Sequence, residues 1–218
     1  RNLGILCNLI SKGDAGEVLS FVHDHNEGIE LIESLDDSKL ETKLSEGFEN
    51  LRQAEKVEDA LSTLNDFRVL CAHNLGRYGV DQWNERAKCS MMSSEEMFSP
   101  IVVSTNDYGL DLFNGDDGVQ MEEKAYFSKG GGVREFAKSR LSSTSSAFAI
   151  SIHRSQGSEY GRVLLVLPPP EAKLLSRELL YVAVSRAKQG IVLVGDPESL
   201  ASAVRQVGDV QSGVFELI

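Results

Sequence analysis

The chain has 218 residues, 41% of them apolar, and a formal net charge of -11 at neutral pH. That is enough apolar material to bury one good core and a small second one. No run approaches the ~18 apolar residues of a membrane span, and the opening RNLGILCNLISKGD has no signal-peptide layout, so a soluble, cytoplasmic protein is expected.

Cys7, Cys71 and Cys89 are odd in number, far apart and without a CxxC pair, which argues against a disulfide framework or a zinc site. They are expected to be core thiols. The histidines show no HExxH spacing, and His23 with His25 suits a solvated helix end better than a metal site. No protein-bound metal is expected.

An acidic chain would ordinarily be a poor ligand for nucleic acid, but the charge is unevenly placed. Residues 14–60 hold fourteen Asp or Glu against four Lys or Arg, net -10, whereas residues 124–190 hold eleven Lys or Arg against four Glu, net +7. A basic half within an acidic chain has the form of a local electrostatic footprint, and a merely solvated basic surface is the alternative. The acidic stretch fits a helical outer face or a contact for a basic partner.

In chain order, residues 2–10 predict a buried helix broken at Gly13. From 14 to 65 the pattern is helical, with Leu51, Ala54, Val57, Leu61 and Leu64 near one face. FRVLCA at 67–72 is short and, Arg68 apart, apolar, as in a strand covered on both sides. GVDQWNERAKCSMM at 79–92 puts Val80, Trp83, Ala87 and Met91 on one helical stripe, with Asp81 suited to the first turn. Strand, helix and strand again make a β-α-β reading, and IVVST after the helix opens the next stretch.

The stretch 100–141 changes character. It has short strands, a hairpin-like LFNGDDGVQM whose Asn114-Gly115 pair favours a type I′ turn, and glycines at 130–132 that read as a loop, since no Lys-Ser or Lys-Thr follows as in a phosphate cradle. This predicts a small β module inside a larger α/β domain. After a serine-rich link at 142–146, buried strands resume near 147, 162 and 190, with a helix over 177–188 between the last two. The fold class expected is α/β: a parallel sheet with flanking helices, over 1–99 and 142–218, interrupted by a small β-barrel insert over 100–141.

Two C-terminal segments carry the chemistry. AFAISIHRSQGSEYGRVLLVLPPP at 147–170 and RELLYVAVSRAKQGIVLVGD at 177–196 each join a buried-strand run to a basic residue, a glycine or a carboxylate. They resemble motifs V and VI of the superfamily 1 helicases, in wording nearest to the RecD family, the alpha subunit of exodeoxyribonuclease V. RNLGILCNLISKGD is similar to the end of that family's motif IV, PIVVSTNDYGLDLFNGDDGVQM at 100–121 to the start of its small inserted barrel, and SGVFEL at 212–217 to its tail. The resemblance implies that the parallel sheet is RecA-like, the second motor domain of a helicase, and that the insert over 100–141 is an SH3-like β-barrel.

By position alone, Arg186 could simply interact with a helix C-terminus. Within VAVSRAKQ the resemblance implies an arginine finger that stabilises charge on a γ-phosphate in transfer. It likewise implies that Gly157 lets main chain approach the phosphates of ATP, that Glu159 accepts a ribose hydroxyl, and that Ser151 and His153 meet the DNA backbone. Ser151 stands where a threonine is common. Arg1 would be the motif IV arginine, a second γ-phosphate ligand. Asn106, Asp107, Asn114 and Gly115 match the insert pattern and are explained by turn chemistry.

No G-x-x-x-x-G-K-[ST] loop occurs in the chain, so ATP and its Mg2+ would be held mainly by a first motor domain elsewhere in the full-length chain. The resemblance implies a C-terminal motor-domain part of a helicase moving 5′ to 3′ on single-stranded DNA, with RecB- and RecC-like subunits as partners in double-strand break repair. A free-standing RecD-like helicase and a noncatalytic assembly domain are the alternatives.

Overall fold

The fold is seen in a computed structural model, in which residues 2–24, 27–91, 97–141 and 143–208 are described. Arg1, His25 and the 212–217 segment lie outside them. Helix α1 (Asn2–Lys12) ends at Gly13, whose φ is 78°. Helix α2 (Ala15–His23) starts at Asp14, whose carboxylate accepts from the Glu17 N–H, satisfying one orphan donor of the first turn. His23 is exposed in its last turn, as expected.

The 14–65 region is not continuously helical. It contains a strand, β1 (Ile29–Ile32), and then three short helices, α3 (Lys39–Gly47), α4 (Glu49–Arg52) and α5 (Val57–Ser62). Leu51 and Leu64 are buried and Ala54, Val57 and Leu61 pack beside them in one apolar cluster. The shared face is real, but several short pieces build it.

β2 (Phe67–Cys71) is buried at every residue. Helix α6 (Val80–Met91) buries Trp83, Ala87 and Met91, with Asp81 in its first turn. Cys89 is on the other face and exposed, whereas Cys71 is fully buried and Cys7 half-buried. The core-thiol expectation therefore fails for Cys89, two residues past the inward-facing Ala87.

β8 (Ala149–Ser151), β9 (Tyr160–Val166) and β10 (Ala187–Val194) complete a five-stranded sheet in the order β1-β10-β9-β2-β8, parallel throughout. Helix α7 (Arg177–Ser185) precedes β10 and α8 (Pro197–Arg205) follows it. Alternate residues of β9 face opposite layers. Val163 and Leu165 join α1, α2, α7 and α8, while Leu164 and Val166 join α3 to α6. Covering a sheet on both faces is what makes its strands continuously apolar.

The next strand, β3 (Ser99–Val103), does not extend this sheet. It pairs antiparallel with β4 (Asp117–Met121), which continues through β5 (Lys124–Lys129) to β6 (Gly132–Ala137), and on its other side with β7 (Thr144–Ser146). β2 and α6 therefore lead to β8, the parallel neighbour that completes the β-α-β unit, only after this excursion. Part of the serine-rich link is strand. The strand order is β6-β5-β4-β3-β7, and among the described residues β6 pairs only with β5 and β7 only with β3. Ile101, Val103, Leu112, Ala125, Phe127 and Phe136 fill its own small core.

The type I′ turn is also elsewhere. Asn114 does not have positive φ, and Gly115 alone does (94°), closing a turn in which the Asp116 N–H donates to the Phe113 carbonyl at 2.9 Å. Instead Gly130 (φ 59°) and Gly131 (φ 80°) join Lys129 to its partner Gly132, the two left-handed positions that a tight hairpin requires.

A buried ion pair ties the two sheets. Arg68 in β2, 1% exposed, donates to the carbonyls of Ala147 (2.6 Å) and Leu64 (3.0 Å) and reaches the Asp117 carboxylate of β4 at 3.3 Å. Its guanidinium also lies 5.1 Å from the Tyr160 ring centroid. Such a pair does not add much stability over apolar residues, but removing one partner leaves a charge without compensation.

Candidate functional site

The segment after β8 folds back along the sheet. The Ile152 N–H donates to the Cys71 carbonyl at 2.9 Å, and Ser155 N–H to that of Ser151 at 3.1 Å. Ser155 is fully buried and its hydroxyl donates to the Ile152 carbonyl at 2.7 Å. Successive turns then bring the chain to the start of β9, where the Tyr160 N–H donates to the Arg186 carbonyl at 2.8 Å. Burial pushes the Tyr160 phenol up, opposed by the nearby Arg68 charge.

This path divides the six residues marked by the sequence. Register places Ser151 beside Cys71, itself beside Val166, whereas Glu159 immediately precedes Tyr160 at the other end of β9. At about 3.3 Å per residue the two ends are roughly 20 Å apart. Gly157, Glu159 and Arg186 therefore come together at the start of β9 and β10, and Ser151 lies at the opposite edge with His153 exposed on the turn after it. Arg1 is outside the described residues.

Arg186 caps α7 and is half-buried. Its Nη1 donates to the Ser158 carbonyl at 3.0 Å, its Nε to Val182 at 3.2 Å, and its Nη2 to the Ser185 hydroxyl at 3.1 Å. The guanidinium thus fastens the turn that carries Gly157 and Glu159 to the end of α7. Gly157 has φ 88°, and no atom lies within 4 Å of where a Cβ would sit. Left-handed backbone, not crowding, selects glycine there, and its main chain faces open space. The exposed Glu159 carboxylate pairs with Lys188 at 3.0 Å; both side chains are more than half exposed, so water screens the pair. An open glycine turn, an exposed carboxylate whose pairing with Lys188 is screened by water, and a held guanidinium at one end of a parallel sheet can supply part of a polyphosphate and sugar site.

At the other end, the Ser151 hydroxyl accepts from the Arg154 N–H at 3.3 Å. Ser151 lines an open cleft of about 640 Å³ together with Asn74, Asn84, Ser145, Ser146 and Arg154. This floor of hydroxyls and amides with one arginine suits a phosphodiester, although Asp81 and Glu85 on the α6 side would repel one. Arg154 went unmarked in the sequence because one arginine in a polar loop has no distinguishing spacing. Asn84 did leave a signal, a polar residue inside an otherwise apolar helical stripe. Lys188 stands two residues after Arg186, but nothing local shows that it meets Glu159.

Residues 146–194 match the UvrD-like helicase C-terminal domain, a span that includes β8, β9, α7 and β10. The RecBCD enzyme subunit RecD of Mycobacterium tuberculosis is 34% identical over 97% of this chain and 40% of its own length. The chain therefore spans about two fifths of that relative, its C-terminal part. The ATP-dependent RecD2 DNA helicase of Deinococcus radiodurans is 34% identical over 44% of this chain and 14% of its own. Among solved structures, the Pif1 helicase of Candida albicans overlaps with a TM-score of 0.43 at 13% identity, covering 85% of this chain and 54% of that one, too loosely for any inference.

Proposed function

Since this chain belongs to the RecD family of superfamily 1 DNA helicases and spans the C-terminal part of such a protein, we propose that it is the second motor domain of an ATP-dependent helicase acting 5′ to 3′ on single-stranded DNA. In this reading residues 1–99 and 142–218 form the motor domain and residues 100–141 a small SH3-like module set into it, whose sheet also takes in Ser99 of β3 and the β7 residues Thr144–Ser146. The observation that carries the proposal is the Arg186 guanidinium bound to the Ser158 carbonyl at 3.0 Å, which ties the two motif-bearing segments together at one end of the sheet.

Each residue then has a role. Arg186 stabilises charge on the γ-phosphate, and Arg1 is a second ligand there. Glu159 accepts a ribose hydroxyl once it exchanges its pairing with Lys188, and Gly157 lets main chain approach the phosphates. Ser151 and His153 face the DNA backbone at the opposite end of the sheet. Bound ATP with Mg2+ supplies the free energy of translocation, and a first motor domain elsewhere in the full-length chain holds most of it. Membership of a RecBCD-type complex with RecB- and RecC-like subunits, in double-strand break repair in the cytoplasm, is favoured over a free-standing helicase because likeness to the RecBCD subunit runs through 97% of this chain and likeness to RecD2 through 44%. No helix among the described residues is long and apolar enough to cross a membrane.

The test is ATP turnover with magnesium and single-stranded DNA. The full-length protein is expected to hydrolyse ATP, and these residues alone are expected to show no appreciable turnover. Robust DNA-stimulated hydrolysis by this chain alone would overturn the half-site reading.

A further inference from the structure

The loop between β3 and β4 holds an aromatic ring in solvent on a rigid mount. Tyr108 is 80% exposed. It sits on a miniature hairpin closed by an isolated bridge between Asp107 and Leu112, whose N–H and carbonyl groups pair at 2.7 and 3.0 Å. Leu112, 1% exposed, anchors this hairpin in the core of the antiparallel sheet. The Leu110 N–H donates to the Asp107 carboxylate at 3.0 Å and the Asn114 N–H to the Asn106 side chain at 2.8 Å. A loop so thoroughly bonded has little freedom left to fold its aromatic inward, so the exposure of Tyr108 is built in.

The ring has support and cationic neighbours. Phe113 meets it edge-on at 6.1 Å between centroids. The Lys129 ammonium lies 4.9 Å from the Phe113 centroid while pairing with Asp116. The Arg154 guanidinium, on the turn after Ser151, spans from Ser145 (3.4 Å) to Asn114 (3.5 Å), so the loop that presents Tyr108 adjoins the cleft that Ser151 lines. The acids of this loop are engaged: Asp111 with Arg134, Asp116 with Lys129, Asp107 in its own turn.

We infer that Tyr108, braced by Phe113, is a stacking platform for a base of the single strand, with Arg154 taking the adjoining phosphate. This rests on the motor-domain reading and adds a mode of contact. Stacking suits a motor because every base has a π-face, so grip does not depend on sequence.

The experiment measures equilibrium binding of the full-length protein to oligothymidylate and to an equally long abasic oligonucleotide at fixed salt. Tyr108→Ala is expected to weaken oligothymidylate binding about 5- to 100-fold, Tyr108→Phe to bind like the parent, and the abasic strand to bind both variants alike. Arg154→Ala should weaken both strands and flatten the salt dependence. Tyr108→Ala binding oligothymidylate as tightly as the parent would overturn the platform and leave the motor reading intact. An equal loss on the abasic strand would also overturn it, by showing that the substitution only disturbs the loop. A parent protein that binds neither strand would remove the motor reading itself, and the platform with it.

Discussion

Asn84 and Ala149 exchange two hydrogen bonds: the side-chain amide donates to the Ala149 carbonyl at 2.9 Å, and the Ala149 N–H donates to the amide oxygen at 3.0 Å. The asparagine stands in for a missing neighbour strand at the edge of the parallel sheet, where β8 would otherwise bury unpaired backbone groups. It also fixes the short strand that ends in Ser151.

Asn84→Leu keeps volume but leaves both backbone groups of Ala149 without partners. At about 1–3 kcal/mol for each of the two buried groups, urea unfolding should show a loss of roughly 2–6 kcal/mol. A loss under about 1 kcal/mol would mean that water replaces the amide.

Arg186→Ala in the full-length protein should lower ATP hydrolysis by about 10³ or more. Three hydrogen bonds of the guanidinium disappear with it, so turnover must be compared with melting temperature. Arg186→Lys keeps the charge and loses the planar fork, and should also be severely impaired. Near-normal turnover in either variant, together with a lower melting temperature, would reduce Arg186 to a fastener of the 157–159 turn.

Of the insert cations Lys129, Arg134 and Lys138, the first two pair with Asp116 and Asp111. Reversing either one would also disturb the loop. Lys138 is exposed and has no ion pair among the described residues, so Lys138→Glu is the cleaner probe. It should reduce single-strand affinity and flatten the slope of log K against log salt by roughly 0.7. An unchanged slope would remove Lys138 from the path of the strand.

Thiol labelling reads the packing directly. Cys89 should react at once with a soluble disulfide reagent in the folded protein. Cys7 is half-buried and desolvation raises its pKa, so it should lag. Burial pushes Cys71 much further up, and it should react only in denaturant. Rapid labelling of Cys71 in native protein would contradict a sheet covered on both faces.

β2, β9 and the second half of β10 were legible because strands buried on both faces carry unbroken apolar runs, here Val69–Cys71, Val163–Val166 and Ile191–Val194, a pattern that needs no partner to be seen. The same holds for the inward stripe of α6 and for the wording around Arg186, Gly157 and Glu159. By itself the sequence determined the α/β class with its parallel sheet and the family, and it singled out the residues to which we assign the chemistry. It could not determine β1, four residues whose strand character comes from pairing with Ile191 to Val194 far along the chain. The left-handed turn fell at Gly130 and Gly131 because the pairing of Lys129 with Gly132 fixed the loop, whereas the Asn114-Gly115 pair only permitted one. The burial of Arg68 and Asn84 was decided by carbonyls 79 and 65 residues away, and hydrogen bonds across such separations leave no local period. Tertiary structure alone also sent Gly157, Glu159 and Arg186 to one end of the sheet and Ser151 to the other, because a chain that leaves one parallel strand must cross the full length of the sheet to start the next.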